Sequence, residues 1–148
     1  MTRGRFVAIT DDEVLKSCEF NGDMYYEGCG HGKEVIERLS RAKTLEDFSN
    51  EIRAFNAENF QYKDDGIGDA YFKGQNPIDF SDDYFGDWFS DYLYVKNFSD
   101  SVKKITCEDG EPCMIGPDQI KVFCFGRLYG VVLADGKLEV VEEVEEND

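Results

Sequence analysis

The chain has 148 residues, with 32 acids against 16 bases, a formal net charge of −16 and an isoelectric point of about 4.3. A chain so charged repels polyanions, so direct binding to DNA, RNA or an anionic membrane is not expected; such binding needs Lys and Arg to displace counterions. The length suits one domain, and 41% apolar and 14% aromatic residues are enough for a core without staples.

Taken in order, RFVAIT (5–10) reads as a strand, and its four-residue apolar run, Phe6 to Ile9, is too short for a secretory leader. Thr10 followed by Glu13 has the form of a capping box, which predicts a short helix over 11–19. The glycine-rich stretch 21–32 reads as loop, and 33–42 as a helix with Val35, Ile36 and Leu39 on one face. A second capping signal, Thr44 with Asp47, opens an amphipathic helix on Leu45, Phe48, Ile52 and Phe55. From residue 91 the period changes to two, through YLYVKN, VKKITC, QIKVFCFGRLYGVVL and KLEVV. Gly126-Arg127 and Asp135-Gly136 are turn signals between these strands. The expected class is α+β: a short N-terminal strand and two to three helices packed on a C-terminal antiparallel meander. Residues 1–141 form the expected single domain, and the acidic 142–148 an expected disordered tail. Five cysteines at irregular spacing, with no export signal, fit reduced thiols and a cytoplasmic location, in a host cell if the gene is a phage's.

Two stretches could carry chemistry. In YYEGCGHGK (25–33), Glu27, Cys29 and His31 are interleaved with glycines. A Walker loop fails there, because Glu27 stands where the first glycine belongs and Glu34 where Ser or Thr belongs. The dinucleotide fingerprint fails at Lys33. Zinc would have to recruit distant Cys107 and Cys113, which lack knuckle spacing. The stretch is expected to be a turn before a helix, with a ligand loop of Glu27, Cys29 and His31 as the alternative. A calcium loop counted from Asp64 fails at its third, fifth and sixth positions. No metal or cofactor is expected.

The second stretch, PIDFSDDYFGDWFSDY (77–92), interleaves aspartates with aromatics. With Ser81 as N-cap and 82–90 helical, Asp83 and Asp87 stand one turn apart and Asp91 continues the row. Carboxylates so spaced lie about 5–6 Å apart at Cβ, close to the roughly 6–7 Å between phosphates along one strand. The bland alternative is a solvated acidic surface, since aspartate is a poor helix former. The charge is concentrated: eight aspartates against one lysine between 64 and 91, and five acids without a base after 141. These features lead to an expected function without catalysis. An acidic inhibitor would engage a basic nucleic-acid-binding protein, such as a nuclease or a CRISPR effector, by mimicking the charge of DNA or RNA. Phage anti-defence proteins and nuclease immunity proteins work by the same physics. The expected contacts are Asp79, Asp82, Asp83, Tyr84, Asp87, Trp88 and Asp91. The alternative is a small cytosolic enzyme or ligand-binding domain using the loop at Cys29 and His31. The C-terminal strands also allow a homodimer through an edge.

Overall fold

Continuous burial along Phe6 to Ile9 and Tyr92 to Asn97, on both faces of each strand, determines the architecture. The computed structural model describes residues 2–63, 71–74, 78–81 and 91–141, the side chains of 71–74 excepted. Strands β1 (Arg3–Ile9) and β5 (Tyr92–Asn97) lie side by side and parallel at the centre of the main sheet. β1 also pairs with β2 (Val14–Lys16) and β3 (Phe20–Asn21), and β2 pairs with β4 (Tyr71–Gly74). On the other side come β8 (Ile120–Cys124), β9 (Arg127–Val132) and β10 (Leu138–Val140), all antiparallel. The order is β10-β9-β8-β5-β1-β2-β4. A separate hairpin joins β6 (Lys103–Thr106) to β7 (Pro112–Ile115).

Three layers follow from the pleat, since successive side chains point to opposite faces. Phe6, Ala8, Tyr92, Tyr94 and Val122 face the helices α1 (Gly32–Arg41) and α2 (Leu45–Asn59). Val7, Ile9, Leu93, Val95 and Phe123 face the hairpin, meeting Ile105, Cys113 and Ile115. Ile78 joins this second core, and Phe80 lies against Phe123 with ring centroids 5.5 Å apart. The α+β class is therefore as expected, with a mixed rather than purely antiparallel sheet, because β1 enters beside β5 in parallel.

α2 starts where its capping box predicts. Thr44 accepts from the N–H of Asp47 at 3.1 Å, and the Asp47 carboxylate accepts from the Thr44 N–H at 3.2 Å. The same signature at Thr10 does something else, and the helix expected over 11–19 is absent. The Thr10 hydroxyl oxygen does accept from the N–H groups of Asp12 and Glu13. But the Thr10 N–H donates to the Glu13 carbonyl at 2.9 Å, closing a tight turn that reverses the chain. Val14, Leu15 and Lys16 are then buried as strand β2. A Thr hydroxyl bonded two and three residues on serves a turn as readily as a helix, and burial against β1 decides between them.

Candidate functional site

Loop 22–31 is built to pack. Tyr94, buried in the core, donates its hydroxyl to the Met24 carbonyl at 2.5 Å. Tyr94 stacks on Tyr92, and Tyr92 meets Tyr129 edge-on. The Tyr129 hydroxyl donates to Glu27 at 2.8 Å. Burial, and secondarily the Glu27 carboxylate, push the Tyr129 phenol far above its ordinary range. Gly32 opens α1 in close quarters: a Cβ there would meet the Tyr94 hydroxyl, the Tyr26 backbone and the Tyr25 carbonyl. Only glycine lets the helix start so near the sheet.

This arrangement pulls the three residues of the alternative ligand loop apart in role. Glu27 is held by Tyr129. The His31 ring packs against Phe55 and Phe60, with centroids 5.5 and 5.3 Å away. Cys29 is the one exposed cysteine of the five. Among the described residues, no group of three His, Cys, Asp or Glu is placed to hold a metal ion.

The thiols differ enough to be told apart in solution. Burial pushes Cys18 and Cys107 up to about 11, and Cys113 and Cys124 are buried. At about pH 8 a disulfide reagent is expected to modify one thiol quickly in the folded protein. Cys29→Ser should remove that fast phase and leave the slow ones.

The acidic stretch has a more informative setting. Asp79 bridges to Thr106 of β6 and accepts from the N–H and hydroxyl of Ser81, at 2.9 and 2.6 Å. Those two bonds, the hydroxyl's first, hold its carboxyl below the usual range. Ser81 thus donates to Asp79; Asp82, Asp83, Tyr84, Asp87 and Trp88 lie outside the described residues. Asp91 departs from the expected exposed row. It is only 8% exposed, and it accepts from the Arg3 N–H at 2.9 Å and the Arg3 guanidinium at 3.3 Å. Its carboxylate joins the start of β5 to the start of β1, so it serves the sheet rather than an open surface.

Both flanks of 82–90 nevertheless meet at one place, the turn Phe125–Gly126 between β8 and β9. A Cβ on Gly126 would be 3.1 Å from the Cβ of Phe80, and the Phe125 N–H donates to the Asp91 carbonyl at 3.0 Å. The Glu108 N–H donates to the Gly126 carbonyl, which brings the acidic β6–β7 turn of Glu108, Asp109 and Glu111 to the same spot. Arg127 pairs with Glu108 at 3.0 Å.

The residues that flank the other two acidic segments lie on or beside other strands of the sheet. Tyr62 stacks on Phe20, which pairs with Gly4, and Tyr71 enters β4 level with Lys16. Val141 donates to the Tyr129 carbonyl where the chain leaves β10. Residues 64–70 hold three aspartates, 82–90 three, and 142–148 five acids, with no lysine or arginine in any of them. Periodicity could not reveal that Phe80 and Asp91 meet at the Phe125–Gly126 turn, because that depends on strand order. Meanwhile three bases are turned inward: Lys16, Arg38 and Lys96 are at most 6% exposed.

Comparison with protein-family models, curated proteins and solved structures finds no match to this chain. No helix among the described residues is long and apolar enough to cross a membrane.

Proposed function

We propose that the chain is an acidic inhibitor that occupies the nucleic-acid site of a basic protein, a nuclease or a CRISPR effector being the class of target that fits. The observation that carries this reading is the meeting of Phe80 and Asp91, which flank the acidic stretch 82–90, at the Phe125–Gly126 turn beside Glu108, with the acid of the chain concentrated in 64–70, 82–90 and 142–148 along the sequence. Acid spread evenly would serve solubility alone. Acid concentrated beside that turn would give a directional field that steers a basic partner and pairs with the Lys and Arg that normally hold phosphates. Aromatics between the aspartates, Tyr84 and Trp88 among them, supply surfaces on which a groove built for bases can close. The competing enzyme reading draws no support from the loop at 25–33, where Glu27 accepts a hydrogen bond from Tyr129 and His31 packs on Phe55.

The test is a pull-down from bacterial lysate with the tagged protein, eluted by rising salt and read by mass spectrometry. A nucleic-acid-binding protein should elute sharply, with affinity falling about 10–100-fold between low and moderate salt. Duplex DNA or RNA should compete for the captured protein. Asp82, Asp83 and Asp87 changed together to Asn should weaken capture about tenfold or more. Capture that ignores salt, or that survives the triple change, would sink the reading.

A further inference from the structure

β10 is the last strand of the main sheet, and among the described residues it pairs only with β9. Leu133 donates to the Lys137 carbonyl and Val141 donates to the Tyr129 carbonyl, so residues 137 and 141 bond inward. In an antiparallel ladder every second pair exchanges bonds. Residue 139, opposite Val131, therefore bonds inward too, and the N–H and C=O groups of Leu138 and Val140 point away from β9. The side chains divide by the same alternation. Leu138 packs on the core beneath the helices, which places Lys137 and Glu139 together on the other face, and both are exposed. Val140 is 41% exposed. No proline interrupts β10, and an edge with free backbone groups is a template for another strand.

We propose that β10 pairs with β10 of a second copy of the chain, antiparallel, about a two-fold axis at Leu138. A two-fold interface must be complementary to itself, and the run Lys137-Leu138-Glu139 has that property. With Leu138 across from Leu138, the outward groups of the two copies exchange bonds. Lys137 then faces the second copy's Glu139, and Glu139 faces its Lys137. These are non-hydrogen-bonded pairs, whose side chains stand closest, with Cβ atoms about 4.5–5.5 Å apart. Val140 falls across from Gly136, so no side chain of the second copy opposes it directly. The two neighbouring registers that still pair outward groups are both unfavourable. One sets Glu139 across from Glu139. The other sets Lys137 across from Lys137 and Glu139 across from Asp135. Charge thus selects a single register, which a strand without charges would leave open. Backbone bonds hold the pair and the ion pairs choose its alignment, since an exposed ion pair alone adds little. The net charge of −16 on each copy opposes the approach, so the dimer forms best at about 0.15 M salt or above, where charges are screened beyond about 8 Å. This interface goes beyond the acidic-inhibitor reading and does not depend on it.

Sedimentation equilibrium of the full chain, in a dilution series reaching the millimolar range at about 0.15 M salt, should show a monomer–dimer equilibrium. Amide exchange at Leu138 and Val140 should slow as the dimer fills. Glu139→Lys should weaken the dimer about tenfold or more, by setting lysine across from lysine in both pairs. The same change makes the chain less acidic, so general repulsion between copies predicts tighter association instead. Lys137→Glu combined with Glu139→Lys restores opposite charges across the axis, and should return the affinity to within about threefold of the parent. Val140→Pro removes an outward N–H that makes no bond within the sheet, so the protein should stay folded and lose the dimer. A chain that stays monomeric through the series overturns the proposal. So does a dimer that leaves residues 138 and 140 unprotected, a reading that needs no variant. A dimer as tight in Glu139→Lys, or kept by a folded Val140→Pro protein, overturns it too, as does a folded double variant that stays monomeric. Salt-sensitive capture of a basic protein from lysate involves neither Lys137 nor Glu139, so the inhibitor reading stands or falls separately.

Discussion

Replacing Arg38 with methionine is expected to lower the unfolding free energy by about 2–4 kcal/mol, read from urea denaturation. Arg38 is 6% exposed between α1 and α2, and its guanidinium donates to three carboxylates. It reaches Glu34 at 2.8 Å, Glu51 at 2.9 Å and Glu58 at 2.6 Å. Burial alone would lower its pKa, yet the three acids together raise it. Methionine keeps much of the packing but leaves those acids facing one another. The cost is below that of a fully buried pair because Glu58 can turn to water. Lysine should not restore the loss, since a single ammonium cannot serve three directions in one plane.

The pH dependence carries a matching signature. Hydrogen bonds from Arg41 first, and Arg38 after it, hold the Glu51 carboxyl below its ordinary 4.5. A carboxyl with a depressed folded pKa contributes stability that is present above 4.5 and is lost as the pH falls through the folded value. The acid limb of the stability curve should therefore be shallower in Arg38→Met than in the parent.

Lys96→Met is expected to cost about 2–4 kcal/mol by the same measurement. Lys96 projects from β5 into the helix layer at 1% exposure. Its ammonium donates to the carbonyls of Leu39 and Ala42, at 2.8 and 2.6 Å, where α1 ends. It pairs with Asp118 at 3.3 Å and lies 5.1 Å from the centre of the Phe98 ring. A cation there meets the negative end of the helix dipole and satisfies carbonyls that would otherwise be stranded. Asp118→Asn should cost far less, because that carboxylate is 75% exposed. Burial, only partly offset by Asp118, holds the Lys96 pKa below 10.5. The unfolded chain then binds the proton more tightly, so stability rises as the pH climbs from the folded value toward 10.5. That rise should vanish in Lys96→Met.

Local chemistry was legible in the sequence where it was self-contained. The Thr44–Asp47 box placed α2 at its observed start, since both partners lie within one turn. The alternation of YLYVKN and QIKVFC gave β5 and β8. At Thr10 an identical local signal could not tell a helix from a hairpin, because burial of Val14–Lys16 against β1 decides it. The turn after β8 lies at Phe125–Gly126, one residue earlier than the Gly126-Arg127 signal, with Phe125 itself at φ 52°. A phenylalanine gives no sign that it will adopt a left-handed conformation. Asp91 looked like the next member of an aspartate row until the fold brought Arg3 to it from 88 residues away. Pairing and strand order are long-range facts, and the meeting of Phe80 and Asp91 at the Phe125–Gly126 turn depends on them.

The central position of β1 also governs how the chain can be made. β1 leaves the ribosome first and can fold back at once with β2 and β3, its near neighbours in sequence. Its parallel partner β5 does not begin until Tyr92, and β8 not until Ile120. At about 5–20 residues per second, synthesis leaves the β5-facing edge of β1 open for roughly 4–17 s. During that time Phe6, Val7, Ala8 and Ile9, each no more than 5% exposed in the finished fold, have no sheet to join on that side. Chain closure across so long a span makes for slow folding. A nascent chain of this protein is therefore a natural client for a chaperone that binds short apolar strands.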